Sequence, residues 1–141
     1  MMQNSGMTAM REYRQVGTRQ AVESASPYRL VQLMMERALA KIAIARGHLE
    51  RNAISEKGRH IGDAIGIISG LQASLNHKVD SDLSGNFDAL YDYMSRRLLE
   101  ANLKNDDQIL QEVAGLMRQV KEAWDAIGDE IAEQPVAAGL A

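Results

Sequence analysis

The sequence lacks cysteine altogether and is poor in proline and in large aromatic residues. Its 141 residues include two Pro, one Phe and one Trp. Without cysteine the chain has no disulfide, no thiolate metal site and no cysteine nucleophile. The prolines stand at Pro27 and Pro135, so the 107 residues between them contain none. A proline-free stretch of that length argues against a turn-rich β-sandwich and favours long helices.

Two further absences exclude whole classes of protein. No run of 18 apolar residues occurs, so we predict no membrane insertion, and the first residues lack the apolar centre of a secretory signal. Residues 1–104 carry 14 Lys+Arg against 11 Asp+Glu, whereas residues 105–141 carry 2 against 8. A nucleic-acid surface needs a clustered basic patch, so we predict no nucleic-acid partner and a solvated, acidic last helix.

What the sequence does contain is apolar residues at helical spacing in four successive segments. Ser26 and Pro27 are typical of a helix start, as N-cap and first helical residue. Asn105 is the predicted cap of the last helix, with Gln108 completing a capping box. The predicted elements are an N-terminal arm with a short helical segment (1–26), helices at about 27–51, 58–75, 84–103 and 106–132, and a flexible tail (133–141). We therefore predict an all-α fold, an antiparallel up-down-up-down four-helix bundle with a short N-terminal arm.

No catalytic constellation is found. Di-metal bundles use Glu-x-x-His pairs, but Ala45, Lys57 and Ser74 stand three residues before the three histidines. No phosphate-binding loop or nucleophile elbow occurs either. His60, on the second helix, is a candidate phosphorelay acceptor, although the residues after it differ from the His-x-x-Lys-Gly pattern. We predict no enzyme activity, no cofactor and no metal.

A row of glycines marks the second helix. Gly58, Gly62, Gly66 and Gly70 recur every four residues, and each costs up to ~1 kcal/mol relative to Ala in a helix interior. At 100° per residue they face away from the predicted core stripe. Two interpretations stay open: a solvent-exposed face that requires no particular side chains, or the floor of a groove that a partner helix approaches closely.

Two other features are left over once the core is assigned. Apolar residues at helical spacing in the arm indicate either a frayed terminus or a segment that covers a groove. Surplus apolar residues on the bundle indicate either wide interior faces or uncovered grooves for amphipathic helices. The arm residues are Met10, Tyr13 and Val16, and the surplus residues are Met35, Ile67, Leu99 and Leu103.

Five segments in order resemble the flagellin export chaperones of the FliS family, over about residues 9–131. They are YRQV (13–16), SASPYRL (24–30), LQASL (71–75), LYDYMSRRL (90–98) followed by Ala101 and Asn102, and EAW (122–124). The resemblance implies a cytosolic, non-enzymatic helical bundle. Such a bundle binds the C-terminal segment of new flagellin, keeps it from polymerising, and passes it to the flagellar type III export gate.

The residues and the resemblance together give a set of predicted partner contacts. Two alternatives remain: a histidine phosphorelay bundle acting through His60, and a structural bundle that associates with itself. The predicted contacts are Met10, Tyr13, Val16, Met35, Gly62, Gly66, Ile67, Gly70, Leu99 and Leu103.

Overall fold

The structure, a computed structural model, describes residues 26–75 and 81–133. These residues form four helices and no strand: α1 (Pro27–Glu50), α2 (Ile54–Ala73), α3 (Ser81–Lys104) and α4 (Asp107–Glu133). Helix α1 packs on α2 and α4, and α3 packs on the same two helices. No helix in the described part of the chain is long and apolar enough to cross a membrane. The predicted all-α four-helix bundle is confirmed.

Contacts at both ends of the bundle show that neighbouring helices run in opposite directions. Tyr28, at the start of α1, bonds to Trp124 late in α4, and Arg46, near the end of α1, pairs with Asp107 at the start of α4. Helices α2 and α3 are likewise joined at one end by Lys57 and Asn102. The up-down-up-down order follows from the short connections, which leave each helix beside the next.

The first helix begins as predicted, but the residue that caps α4 differs from the prediction. The Ser26 hydroxyl accepts a hydrogen bond from the Arg29 amide at 3.1 Å, with Pro27 as the first helical residue. The prediction that Asn105 caps α4 is wrong. Asn105 has a φ of 52° and makes the left-handed reversal, a conformation that Asn tolerates better than most residues. The cap is therefore Asp106, whose Oδ1 accepts from the Gln108 amide at 2.9 Å.

Helices α2 and α3 begin earlier than predicted. Helix α2 starts at Ile54 rather than Gly58 and ends at Ala73, and α3 starts at Ser81 rather than Ser84. The α1–α2 connection is only residues 51–53, because Asn52 reverses the chain with a φ of 58°. Ala53 precedes α2 and makes no side-chain cap, so the sequence carries no start signal there.

Each helix buries one apolar stripe in a common core. In α1 the stripe is Met35, Ala38, Ile42 and Ala45, all fully buried. The prediction that Met35 is a surface contact is therefore wrong: its spacing to Ala38 and Ile42 places it on the core face. Its neighbour Met34 is only partly buried against the cluster. The other stripes are Ile61, Ala64, Ile68 and Leu71 in α2, Tyr91, Met94, Leu98 and Ala101 in α3, and Ile109, Leu110, Val113, Ala114, Met117 and Val120 in α4.

Candidate partner-binding surface

The middle of α2 presents bare backbone on its outward face. Gly62 and Gly66 are exposed, and a Cβ atom built on either would meet nothing within 4 Å. Neither glycine is therefore required by packing inside the bundle. A helix face without side chains lets another backbone approach closely.

The two outer glycines of the row pack against neighbouring helices. A Cβ on Gly70 would lie 2.9 Å from Met34 Cε of α1, and one on Gly58 would lie 3.4 Å from Asn102 Oδ1 of α3. The prediction that the whole row faces away from the bundle is thus wrong for these two. A spacing of four residues advances by about 40° per step, so the row spirals from the α3 side of α2 to its α1 side.

A shallow groove of about 370 Å³ runs along the α1 side of this face. At its edge Lys41 Nζ donates to Asp63 Oδ2 at 3.0 Å, and this hydrogen bond lowers the pKa of Asp63. Arg37 is exposed and pairs with no acidic group among the described residues. The groove thus joins an apolar wall and bare backbone to one uncompensated cation. Its lining residues are Arg37, Lys41, Gly62, Asp63, Gly66 and Ile67.

Two large apolar side chains of α3 are exposed. Leu99 is 53% and Leu103 77% exposed. Leu99 stands three residues before Asn102, and residues so spaced share a helix face. Because Asn102 bonds to α2, Leu99 lies toward the edge of α3 that borders α2, and Leu103 lies one turn further along α3. We call Gly62, Gly66, Ile67, Leu99 and Leu103 the α2 surface.

A buried lysine braces this edge, and the sequence reasoning missed it. Lys57 is only 2% exposed. Its Nζ donates to the backbone oxygen of Asn102 at 2.9 Å and to Asn102 Oδ1 at 2.6 Å. Burial lowers the pKa of Lys57. These hydrogen bonds tie the first turns of α2 to the last turn of α3. In the sequence, the indication of this contact was Asn102, which ends the α3 segment that resembles the FliS family.

Among the described residues, several that carry the resemblance build the bundle rather than this surface. The rings of Tyr28 and Trp124 stack at 5.3 Å. The Tyr28 hydroxyl donates to the Trp124 backbone oxygen at 3.0 Å, and Trp124 Nε1 donates to the Tyr28 backbone oxygen at 3.1 Å. In α3, Tyr91 and Met94 are core residues, and burial raises the pKa of Tyr91 to about 12. These segments therefore specify the fold.

His60 is not the exposed imidazole that a phosphorelay acceptor requires. Its side chain is 8% exposed, and its Nδ1 donates to the Glu56 backbone oxygen at 2.9 Å. The ring also stacks on His48, with centroids 5.1 Å apart. The phosphorelay alternative needs an exposed imidazole at this position, and the burial of His60 contradicts it.

Five of the ten predicted contacts lie at the surface of α2 and α3: Gly62, Gly66 and Ile67 line one groove, and Leu99 and Leu103 are exposed. They are the residues of the α2 surface, with Gly70 one turn beyond on the α1 side. Met35 is in the core. The predicted arm contacts Met10, Tyr13 and Val16 lie outside the described residues, as does the tail.

Comparison with known proteins agrees with this architecture. The family described as "Flagellar protein FliS" matches residues 9–131. The flagellar secretion chaperone FliSB of Pseudomonas aeruginosa is 49% identical over 121 residues, which is 86% of this chain and 96% of that protein. The flagellar secretion chaperone FliS of Salmonella typhimurium is 39% identical over 128 residues, 90% of this chain and 95% of that protein. The corresponding Escherichia coli protein is 41% identical over 113 residues, 79% of this chain and 83% of that protein. Because the family match covers all but the last two residues of the bundle, the chain belongs to the FliS family of flagellar secretion chaperones.

Proposed function

We propose that this chain binds the C-terminal segment of flagellin in the cytosol, prevents its premature polymerisation, and delivers it to the flagellar type III export apparatus. One observation carries the proposal beyond family membership. Leu99 and Leu103 stand exposed on α3, and Gly62 and Gly66 leave bare backbone on the outward face of α2. A bundle that has already closed its core gains nothing from these leucines unless another chain covers them.

The α2 surface suits an amphipathic segment that adds a helix to the bundle. The apolar face of the client would cover Leu99, Leu103 and Ile67, while its backbone approaches α2 over Gly62 and Gly66. Helix-in-groove recognition works in this way, with apolar anchors at helical spacing. Arg37, on the far wall of the groove, is placed to pair with an acidic group of the client.

Export requires that the client leave again, and the proposed binding mode permits release. A flagellin terminus that is disordered when free loses conformational entropy as it orders on the chaperone, which limits affinity per unit of buried area. The flagellin terminus stays bound until it meets a partner that binds it more tightly. The role needs no chemical step, and we propose no catalytic residue or cofactor.

The N-terminal arm is proposed as a second, movable contact. Met10 and Tyr13, with Val16, would cover one end of the α2 surface in the free chain and leave when flagellin binds. A chain lacking residues 1–16 tests this. The arm proposal fails if the truncated chain binds a flagellin C-terminal peptide like the full chain and the free arm is already disordered.

The glycine face gives a sharper test of the docking site, by calorimetric titration of the full chain with a flagellin C-terminal peptide. Gly66→Leu should stabilise the bundle by about 0.5–1 kcal/mol through helix propensity, yet weaken peptide binding at least tenfold by filling the approach to α2. Gly115→Leu in α4 is the matched control, because a Cβ there also meets nothing within 4 Å. It should stabilise the bundle similarly and leave binding unchanged. Equal affinity in all three chains would show that α2 is only a solvent face.

A further inference from the structure

Two histidines and a glutamate converge at the turn between α1 and α2. His48, Glu56 and His60 each offer a ligand atom, and these atoms all lie within 4.8 Å of one another. The group lies outside the α2 surface and outside the apolar core. Imidazole nitrogen together with carboxylate oxygen is a ligand set that suits divalent zinc.

The local fold explains why these residues meet. His48 lies in the last turn of α1 and Glu56 in the first turn of α2. The left-handed Asn52 reverses the chain between them within three residues. His60 follows Glu56 by four positions and so lies on the same helix face. The Glu-x-x-His spacing of di-metal bundles does not describe this group, because its glutamate and histidine are four residues apart and the third ligand comes from across the turn.

The hydrogen bonds leave an open lone pair on the more deeply buried imidazole. His60 Nδ1 donates to the Glu56 backbone oxygen at 2.9 Å, which requires the proton on Nδ1 and leaves Nε2 as the basic nitrogen. Metal-binding histidines are commonly oriented in this way, with the second ring nitrogen bonded to a carbonyl. His48 Nδ1 lies 3.3 Å from Arg51 Nη2. An arginine can only donate, so this contact needs an unprotonated His48 Nδ1.

Two arginines contact the ligands, and both can withdraw. Arg51 is exposed, and the pair of Arg59 Nη2 with Glu56 Oε2, at 2.6 Å, is also exposed. Exposed ion pairs contribute little to stability and rearrange easily. A tetrahedral zinc with ligand bonds of about 2.0–2.2 Å needs ligand atoms roughly 3.4 Å apart. The ligand atoms lie within 4.8 Å of one another, so the exposed Glu56 and half-buried His48 would have to rotate toward His60 to bind the ion.

We propose that His48, Glu56 and His60 form a zinc site that fastens the end of α1 to the start of α2, with water as the fourth ligand. The site joins two helices of a bundle that has no disulfide, since the chain has no cysteine. Its role is structural, and the proposal does not depend on flagellin binding.

The test uses the full chain, free of any affinity tag and treated with a chelator, titrated with zinc chloride by calorimetry and followed by thermal unfolding. We expect one equivalent of zinc to bind and raise the unfolding temperature, and magnesium to do neither, since it prefers oxygen ligands. His48→Gln and His60→Gln should each weaken zinc binding at least tenfold. Since His60 is nearly buried, the half-buried His48 keeps the test valid if His60→Gln fails to fold.

His77→Gln is the matched control, because His77 is the third histidine of the chain and lies outside the described residues. It should bind zinc like the unaltered chain. The proposal is overturned if the unaltered chain binds no zinc, if His48→Gln binds zinc equally well, or if only His77→Gln loses binding.

Discussion

At the scale of single residues, close packing decides details that apolar periodicity leaves open. Met34 and Met35 are adjacent and chemically identical, yet only Met35 lies fully in the core, where a partner contact was predicted. The register of α1 turns Met35 inward and leaves Met34 against the space that Gly70 provides. A one-residue difference in register rotates a helix by 100°, which periodic patterns with several apolar neighbours do not resolve.

Among the described glycines, Gly128 has the least room for a Cβ atom. A Cβ there would lie 1.9 Å from Tyr28 Cζ, so the Tyr28–Trp124 stack requires a glycine on α4. Gly128→Ala should displace the Tyr28 ring and destabilise the bundle by about 1–3 kcal/mol, although alanine is the better helix former. Urea unfolding measures the loss. The fluorescence of Trp124, the only tryptophan, should shift in the folded state.

Gly85→Ala in α3 is the control for this change. A Cβ at Gly85 meets nothing within 4 Å, so the variant should be as stable as the unaltered chain or slightly more stable. If Gly128→Ala behaved in the same way, the aromatic stack would not depend on the glycine.

At the scale of helices, the order and approximate extent of all four were predictable, because each carries an amphipathic pattern. The start of α2 was not, because Ala53 supplies no capping side chain. The cap of α4 was misplaced by one residue, because Asn105 and Asp106 are both plausible caps and only the chain reversal separates them. Ion pairs between helices were invisible in the sequence, since their partners are far apart along the chain.

The pair that joins α1 to α4 gives a pH prediction. Arg46 Nε donates to Asp107 Oδ1 at 2.7 Å and Nη2 donates to Oδ2 at 3.2 Å, and this bonding lowers the pKa of Asp107 below its ordinary value of 3.8. A carboxyl whose pKa is lower in the folded state stabilises the fold above its unfolded pKa. That contribution is lost as the pH falls through the folded value.

Arg46→Gln should therefore reduce the free energy of unfolding at pH 7 by about 0.5 kcal/mol, a small effect because both side chains are partly exposed. The difference from the unaltered chain should shrink as the pH falls below about 3.8 and vanish in stronger acid. Urea unfolding at several pH values measures it. Arg118→Gln, an exposed change on α4, is the control and should show no such pH dependence; a constant deficit in Arg46→Gln at all pH values would refute the assignment.

At the scale of the whole molecule, the segments that resemble the FliS family specify the bundle. The residues of the α2 surface lie outside these segments. Only Asn102, which bonds to α2 at the border of that surface, belongs to one of them. The glycine row and the surplus leucines predicted that surface because both are costly without a partner. The sequence could not predict how far the row spirals, because that depends on which neighbours flank α2.

The central claim is that the α2 surface holds the C-terminal segment of flagellin. Size-exclusion chromatography with light scattering, run on the full chain with and without that segment, tests it most directly. The account predicts a 1:1 complex that Gly66→Leu weakens and Gly115→Leu leaves intact. A chain that forms a stable dimer through this surface, and whose mass does not change when the flagellin segment is added, would contradict it and identify a self-associating structural bundle.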